Sequence, residues 1–188
     1  MRFEALIGII ALLFMTFGCD LLTDKKHPSD SELIRNFNDH KDAFDELIRM
    51  FQADRNLGRV GAGFTRSSGF FEKCKSAENE NETEVIKDTW NGKTIDISRK
   101  KYDDYQKRFA DLGLTAGIEG YCEKELIHLY VSTRGLSVTG STKGYAYLAK
   151  PPQTLVEDLD SYWSEDRRSF TAYRKIDGNW YLYFDYED

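Results

Sequence analysis

Ser98 and Lys101 stand at the S-x-x-K spacing, which sets an amine one helical turn from a hydroxyl and suits it as base for an acylating serine. The S-D-N and K-T-G partners of that chemistry are absent from the chain, so the spacing reads as chance. Gly140-Ser141-Thr142-Lys143-Gly144 has the glycine spacing of a nucleophile elbow. Threonine stands at its centre, however, and the surroundings read as β, so a hairpin bend is the better reading. His27, His40 and His128 are scattered. His128 falls in an alternating stretch, where a partly buried, hydrogen-bonded histidine is expected rather than a general base. Asp103-Asp104, Glu123/Glu125, Asp158/Asp160 and Glu165-Asp166 supply paired carboxyls. Glycoside hydrolysis needs two of them about 5–10 Å apart across a cleft, and in a chain with 32 acidic residues solvated faces are the default.

Gly58, Gly61, Gly63 and Gly69 lie among arginines and serines, but Arg66 stands where the third glycine of G-x-G-x-x-G belongs. A flexible loop or a bulged strand is expected there instead of a phosphate cradle. Residues 77–84 are acidic and asparagine-rich without the D-x-D-x-D-G order of a calcium loop. The sequence therefore points to no catalytic residue, no metal site and no cofactor. A formal net charge of -6 argues against nucleic acid and against broad adhesion to anionic lipid.

The distinctive chemistry is aromatic: Tyr 11, Phe 12 and Trp 3. Tyrosine and tryptophan beside a groove stack on ligands or anchor a partner. Tyr173, Trp180, Tyr181 and Tyr183 form the candidate binding surface, with an aromatic core over a sheet as the plainer alternative.

These residues need elements to position them. Pro28-Ser29-Asp30-Ser31-Glu32 has capping-box spacing, and Leu33, Phe37, Phe44, Leu47, Ile48 and Phe51 recur at helical steps, predicting one long helix over about 30–55. Ile95 and Ile97 suggest a short strand after the Asn91-Gly92 turn. Ser98 caps a second helix, with Tyr102, Tyr105, Phe109 and Leu112 on one face and Gly113 as its stop. From Glu125 to Ser132 the pattern alternates, and 136–149 forms one bent strand or two short ones around Gly140 and Gly144. A short helix is expected over Thr154–Trp163. Asp177-Gly178 makes a two-residue hairpin turn. Direct pairing then groups Tyr173 with Trp180, Leu182 and Phe184, and sets Phe170, Ala172, Tyr181 and Tyr183 on the other face.

Residues 1–18 read as an export signal: Arg2, an apolar run over Ala5–Met15, then Thr16-Phe17-Gly18 before Cys19. The run is too short for a comfortable membrane span, which needs about 20 apolar residues. The segment resembles the signals of bacterial lipoproteins, cut before a cysteine that then carries the acyl chains. Thr16 and Phe17 depart from the preferred leucine and small residue. An ordinary signal-peptidase cut at the same bond and an uncleaved anchor are the alternatives. Three cysteines leave one odd thiol. Lipidation, as the resemblance implies, uses Cys19 and leaves Cys74 and Cys122 as the only intramolecular pair, bonded or kept as two buried thiols. Residues 19–28 then form the lipidated cysteine and a polar tether, and 29–188 a single α+β domain. Asp20, after the cysteine, resembles an inner-membrane retention signal.

The expected fold is α+β. A long N-terminal helix packs on a mostly antiparallel sheet, one further helix precedes the sheet, and a short helix precedes the C-terminal hairpin. The element order and the closing YRKIDGNWYLYFDY are similar to the cystatin-like and nuclear-transport-factor-like rolls, and the whole chain resembles small bacterial lipoproteins. The resemblance implies a cell-envelope protein facing the periplasm or exterior. Its expected partners are the lipid bilayer, through acylated Cys19, and a protein or small apolar ligand held non-catalytically. An immunity protein against a periplasmic toxin and a cell-envelope hydrolase are the alternatives.

Overall fold

A computed structural model describes residues 26–55, 57–61, 64–67, 86–87, 94–95, 97–120, 124–136, 139–162 and 169–188. The export segment, Cys19, Cys74, Cys122 and Trp163 lie outside the described residues, and so does the expected pairing of Cys74 with Cys122.

The fold is α+β. Among the described residues three helices, α1 (Asp30–Asp39), α2 (Lys41–Ala53) and α3 (Arg99–Leu112), accompany a seven-stranded sheet. Its strands are β1 (Leu57–Gly61), β2 (Phe64–Ser67), β5 (Gly117–Gly120), β6 (Leu126–Leu136), β7 (Thr139–Leu148), β8 (Ser169–Asp177) and β9 (Trp180–Glu187). They run in the order β2-β1-β5-β6-β7-β9-β8, every pair antiparallel. Two short strands, β3 (Ile86–Lys87) and β4 (Thr94–Ile95), pair separately. The described part of the glycine-rich stretch after α2 lies in β1 and β2, and β1 is bulged, its register shifting between Leu57 and Arg59. Two strands of the sheet thus precede α3, which was expected to come before the whole sheet.

The single long helix expected over 30–55 is two helices. Its start is as read: Ser29 caps α1, and Glu32 closes the box on the Ser29 backbone N–H at 2.7 Å. At His40 the backbone leaves the helical region (φ -127, ψ 22) and its N–H donates to the Asn36 and Phe37 carbonyls. Asn38 and Asp39 just before it compete for backbone partners and weaken a helix interior. The apolar stripe survives the break: Leu33, Phe37, Phe44, Leu47, Ile48 and Phe51 are all buried. Ser98 caps α3 by accepting from the Lys101 N–H at 3.2 Å, and Gly113 ends it in the left-handed region (φ 70).

Helix and sheet meet over one face of the sheet, the inner face, where Ile127, Leu129, Tyr145, Ala172, Trp180, Leu182 and Phe184 join the helix stripes in the main core. Polar links fix the layers. Tyr145 donates to the Leu33 carbonyl at 2.9 Å, and the Asn36 amide reaches both the Tyr145 hydroxyl and the Leu112 carbonyl. Lys124 closes the end of α2. Its ammonium donates to the Phe51 carbonyl and, at 2.7 Å, to the Asp54 carbonyl, over the Phe51 ring, as a cation at a helix C-terminus should.

The helix expected over Thr154–Trp163 is absent from its described part, 154–162. Backbone groups there bond to β8 instead: Val156 N–H to the Tyr173 carbonyl at 2.8 Å, and Tyr173 N–H to the Thr154 carbonyl at 3.0 Å. Pro151-Pro152 starts the segment extended, and the Asp158 side chain takes the Asp160 N–H in a local turn.

Candidate functional site on the outer face of the sheet

Alternation along four strands sends a second set of side chains to the face away from the helices. Leu126, His128 and Tyr130 come from β6, and Ala146 and Leu148 from β7 opposite them. Thr171, Tyr173 and Lys175 come from β8, paired with Asp185, Tyr183 and Tyr181 on β9. Among these, Ala146, Leu148, Tyr181 and Tyr183 form a buried cluster, with Tyr130 and Tyr173 against it.

Three of the four expected surface residues therefore meet. Tyr173, Tyr181 and Tyr183 share the outer face, while Trp180 lies on the inner face, buried in the core with its indole N–H on Asp45 at 2.8 Å. The expected grouping of Tyr173 with Trp180 failed by one residue of register. The turn residues are Gly178-Asn179, with Asp177 opposite Trp180, and Ile176 is an extra residue between Lys175 and Asp177. A one-residue slip exchanges the faces of a strand.

His128 is the hub of the face. Its ring lies 4.4 Å from the Tyr183 ring and 6.3 Å from that of Tyr173, and Nε2 is 3.4 Å from the Tyr173 hydroxyl. Burial lowers its pKa to about 4, against the opposing pull of Glu119 and Asp185. The ring is thus neutral at pH 7 and can accept from the Tyr173 phenol. The same burial raises the Tyr173 pKa and, together with Tyr130, Asp185 and Glu119, the Tyr183 pKa, so both phenols keep their protons. Tyr183 is 1% exposed and its hydroxyl has no hydrogen-bond partner among the described residues. Beyond Tyr130 the chain of contacts reaches Glu119, which accepts from the Tyr130 hydroxyl and pairs with Arg59 at 3.3 Å.

At the Tyr173 end the face opens into a pocket of about 380 Å³ lined by Leu126, Leu148, Pro152, Gln153, Thr171 and Tyr173, among others. Residues 150–154 form its far wall on their way from β7 to the edge of β8. Lys150 and Glu125 pair at 2.8 Å on the rim. Leu126, at 44% exposure, gives the pocket an apolar wall open to solvent. The alternation over Glu125–Ser132 puts Leu126 on the face of His128 and Tyr130, but nothing in the sequence selects it. Its cross-strand partner Leu148 is also apolar, where a solvated face carries polar residues, but that pairing shows only in the folded sheet.

Two of the other chemical readings resolve as structure, while Glu123, Glu165-Asp166, residues 77–84, Gly63 and Gly69 lie outside the described residues. Ser98 is the cap of α3, and the Lys101 ammonium turns to Asp54 at 2.6 Å. Thr142 and Lys143 lie within β7, and Lys143 is buried between Asp30 at 2.7 Å and Asp160. Asp30, Asp158 and Asp160 bring carboxylate oxygens within 4.8 Å of one another. The Lys143 ammonium and Arg174, 2.9 Å from Asp30, supply the positive charge there.

No protein family, curated protein or solved structure matches the chain.

Proposed function

We propose that the chain is a membrane-tethered lipoprotein of the bacterial cell envelope that binds a ligand without transforming it, and that the Tyr173 pocket is the seat. The carrying observation is the pocket itself. Its volume of about 380 Å³ falls in the range of ligand sites, and it combines an exposed apolar wall with a phenol and short polar side chains, the usual composition of such sites. Three features favour binding over hydrolysis. His128 is buried behind Tyr173, and that burial makes it a weak base, its pKa lowered to about 4. Glu119 is engaged by Arg59 and Tyr130. Asp185 accepts from Thr171 at 2.5 Å. Glu119 and Asp185 are thus occupied as acceptors, and the one carboxylate on the pocket rim, Glu125, pairs with Lys150. Membrane tethering is supported by the order of Arg2, the apolar run and Gly18-Cys19.

The test uses an apolar fluorescent probe, anilinonaphthalene sulfonate, with the native protein. One saturable site is expected, lost in Leu126→Asp and weakened in Tyr173→Ala, with both variants retaining cooperative unfolding. A probe response unchanged by either substitution would remove the pocket from consideration.

A further inference from the structure

The chain is fastened to the sheet from Lys26 onward. Arg134 donates to the Lys26 carbonyl at 2.6 Å, and His27 Nε2 lies 2.7 Å from the Ser141 hydroxyl. The His27 ring stands edge-on to Phe184, and Asp30 is held by Lys143 and Arg174. Arg134 and Ser141 face each other near the closed end of the β6–β7 hairpin, so the N-terminal connection is docked at that end and on the inner face. Of the tether read from the sequence, only residues 20–25 separate Cys19 from the docked chain. The seven residue steps from Cys19 to Lys26 span at most about 25 Å. The pocket lies on the other face, and its rim residues Glu125 and Leu126 stand about 25 Å up β6 from Arg134 at the rise of a strand.

We infer that a chain held by lipid at Cys19 turns the hairpin end of the sheet toward the bilayer and presents the Tyr173 pocket to the aqueous phase, where it takes a small water-borne ligand with an apolar face rather than a lipid of its own membrane. The inference rests on the lipoprotein reading above.

Its test uses the full chain, processed in a bacterial host and reconstituted in phosphatidylethanolamine–phosphatidylglycerol vesicles carrying a headgroup quencher. A fluorophore is introduced through an unnatural amino acid at Thr139 or at Gln153, both exposed. Quenching several-fold stronger at Thr139 than at Gln153 is expected, and Arg134→Ala, which frees the Lys26 carbonyl, should narrow that contrast. Equal or reversed quenching on protein that floats with the vesicles overturns the orientation alone. Protein that fails to float overturns the lipid anchor, and the orientation with it.

Discussion

Asp30 is a helix residue of the first turn of α1, and its carboxylate is almost wholly buried. Burial by itself would raise its pKa. Hydrogen bonds from Lys143, Arg174 and the Leu159 N–H outweigh that and hold it below the ordinary carboxylate range. Asp30→Asn removes the more buried of the two carboxylates that hold the Lys143 ammonium, and breaking a buried pair typically costs about 3–5 kcal/mol. Urea unfolding should show a loss of that order, whereas Asp160→Asn, on a more exposed carboxylate, should cost less. His27 and His128 act on pH dependence in one direction. Burial lowers both to about 4 from 6.5, with Arg134 and Lys143 adding to the effect at His27. Between those values the unfolded chain binds more protons than the folded one, so stability falls as pH drops from about 6.5 toward 4. Urea midpoints measured at pH 7 and pH 5 should differ accordingly. His128→Gln, which cannot take up that proton, should reduce the difference.

At the level of elements, two glycines make opposite predictions. A Cβ on Gly144 of β7 would stand 2.0 Å from the Leu129 carbonyl oxygen and 3.1 Å from the Tyr183 ring. One on Gly178, in the hairpin turn, would meet nothing within 4 Å, its only penalty being φ +50. Gly144→Ala should therefore cost about 3 kcal/mol, at the upper end of overpacking, and Gly178→Ala about 1 kcal/mol, from left-handed strain. Thermal unfolding of the two variants checks both, and equal losses would sink the argument. The same contrast explains what the sequence could reveal. Helix starts at Ser29 and Ser98 and the Ile127/Leu129 alternation were legible, because caps and periodicity are local. The break at His40 was masked by the apolar stripe that runs on through it, the extra Ile176 shows only once β8 pairs with β9, and the extended path of 154–162 depends on partners far along the chain. The pocket escaped for the same reason: Leu126, Leu148 and Thr171 are brought to one wall only by strand pairing.

For the whole molecule, a single acyl chain anchors marginally and two or more anchor stably, so the proposed lipidation has a plain readout. Wild-type protein should carry added acyl mass and partition with membranes, and Cys19→Ala should do neither. Wild type recovered soluble and unacylated would refute the anchor. The route of residues 149–162 has a further consequence for molecules held close together. The chain leaves β7, pairs with the outer edge of β8 at Leu155 in the parallel sense, and is pinned beyond it by the Leu159 N–H on Asp30 at 2.9 Å. β8 is a border strand of the sheet, and an open border is a template on which another copy can add a strand. This segment occupies hydrogen-bonding positions at the middle of that border, so copies crowded on one surface are hindered from zipping together edge to edge.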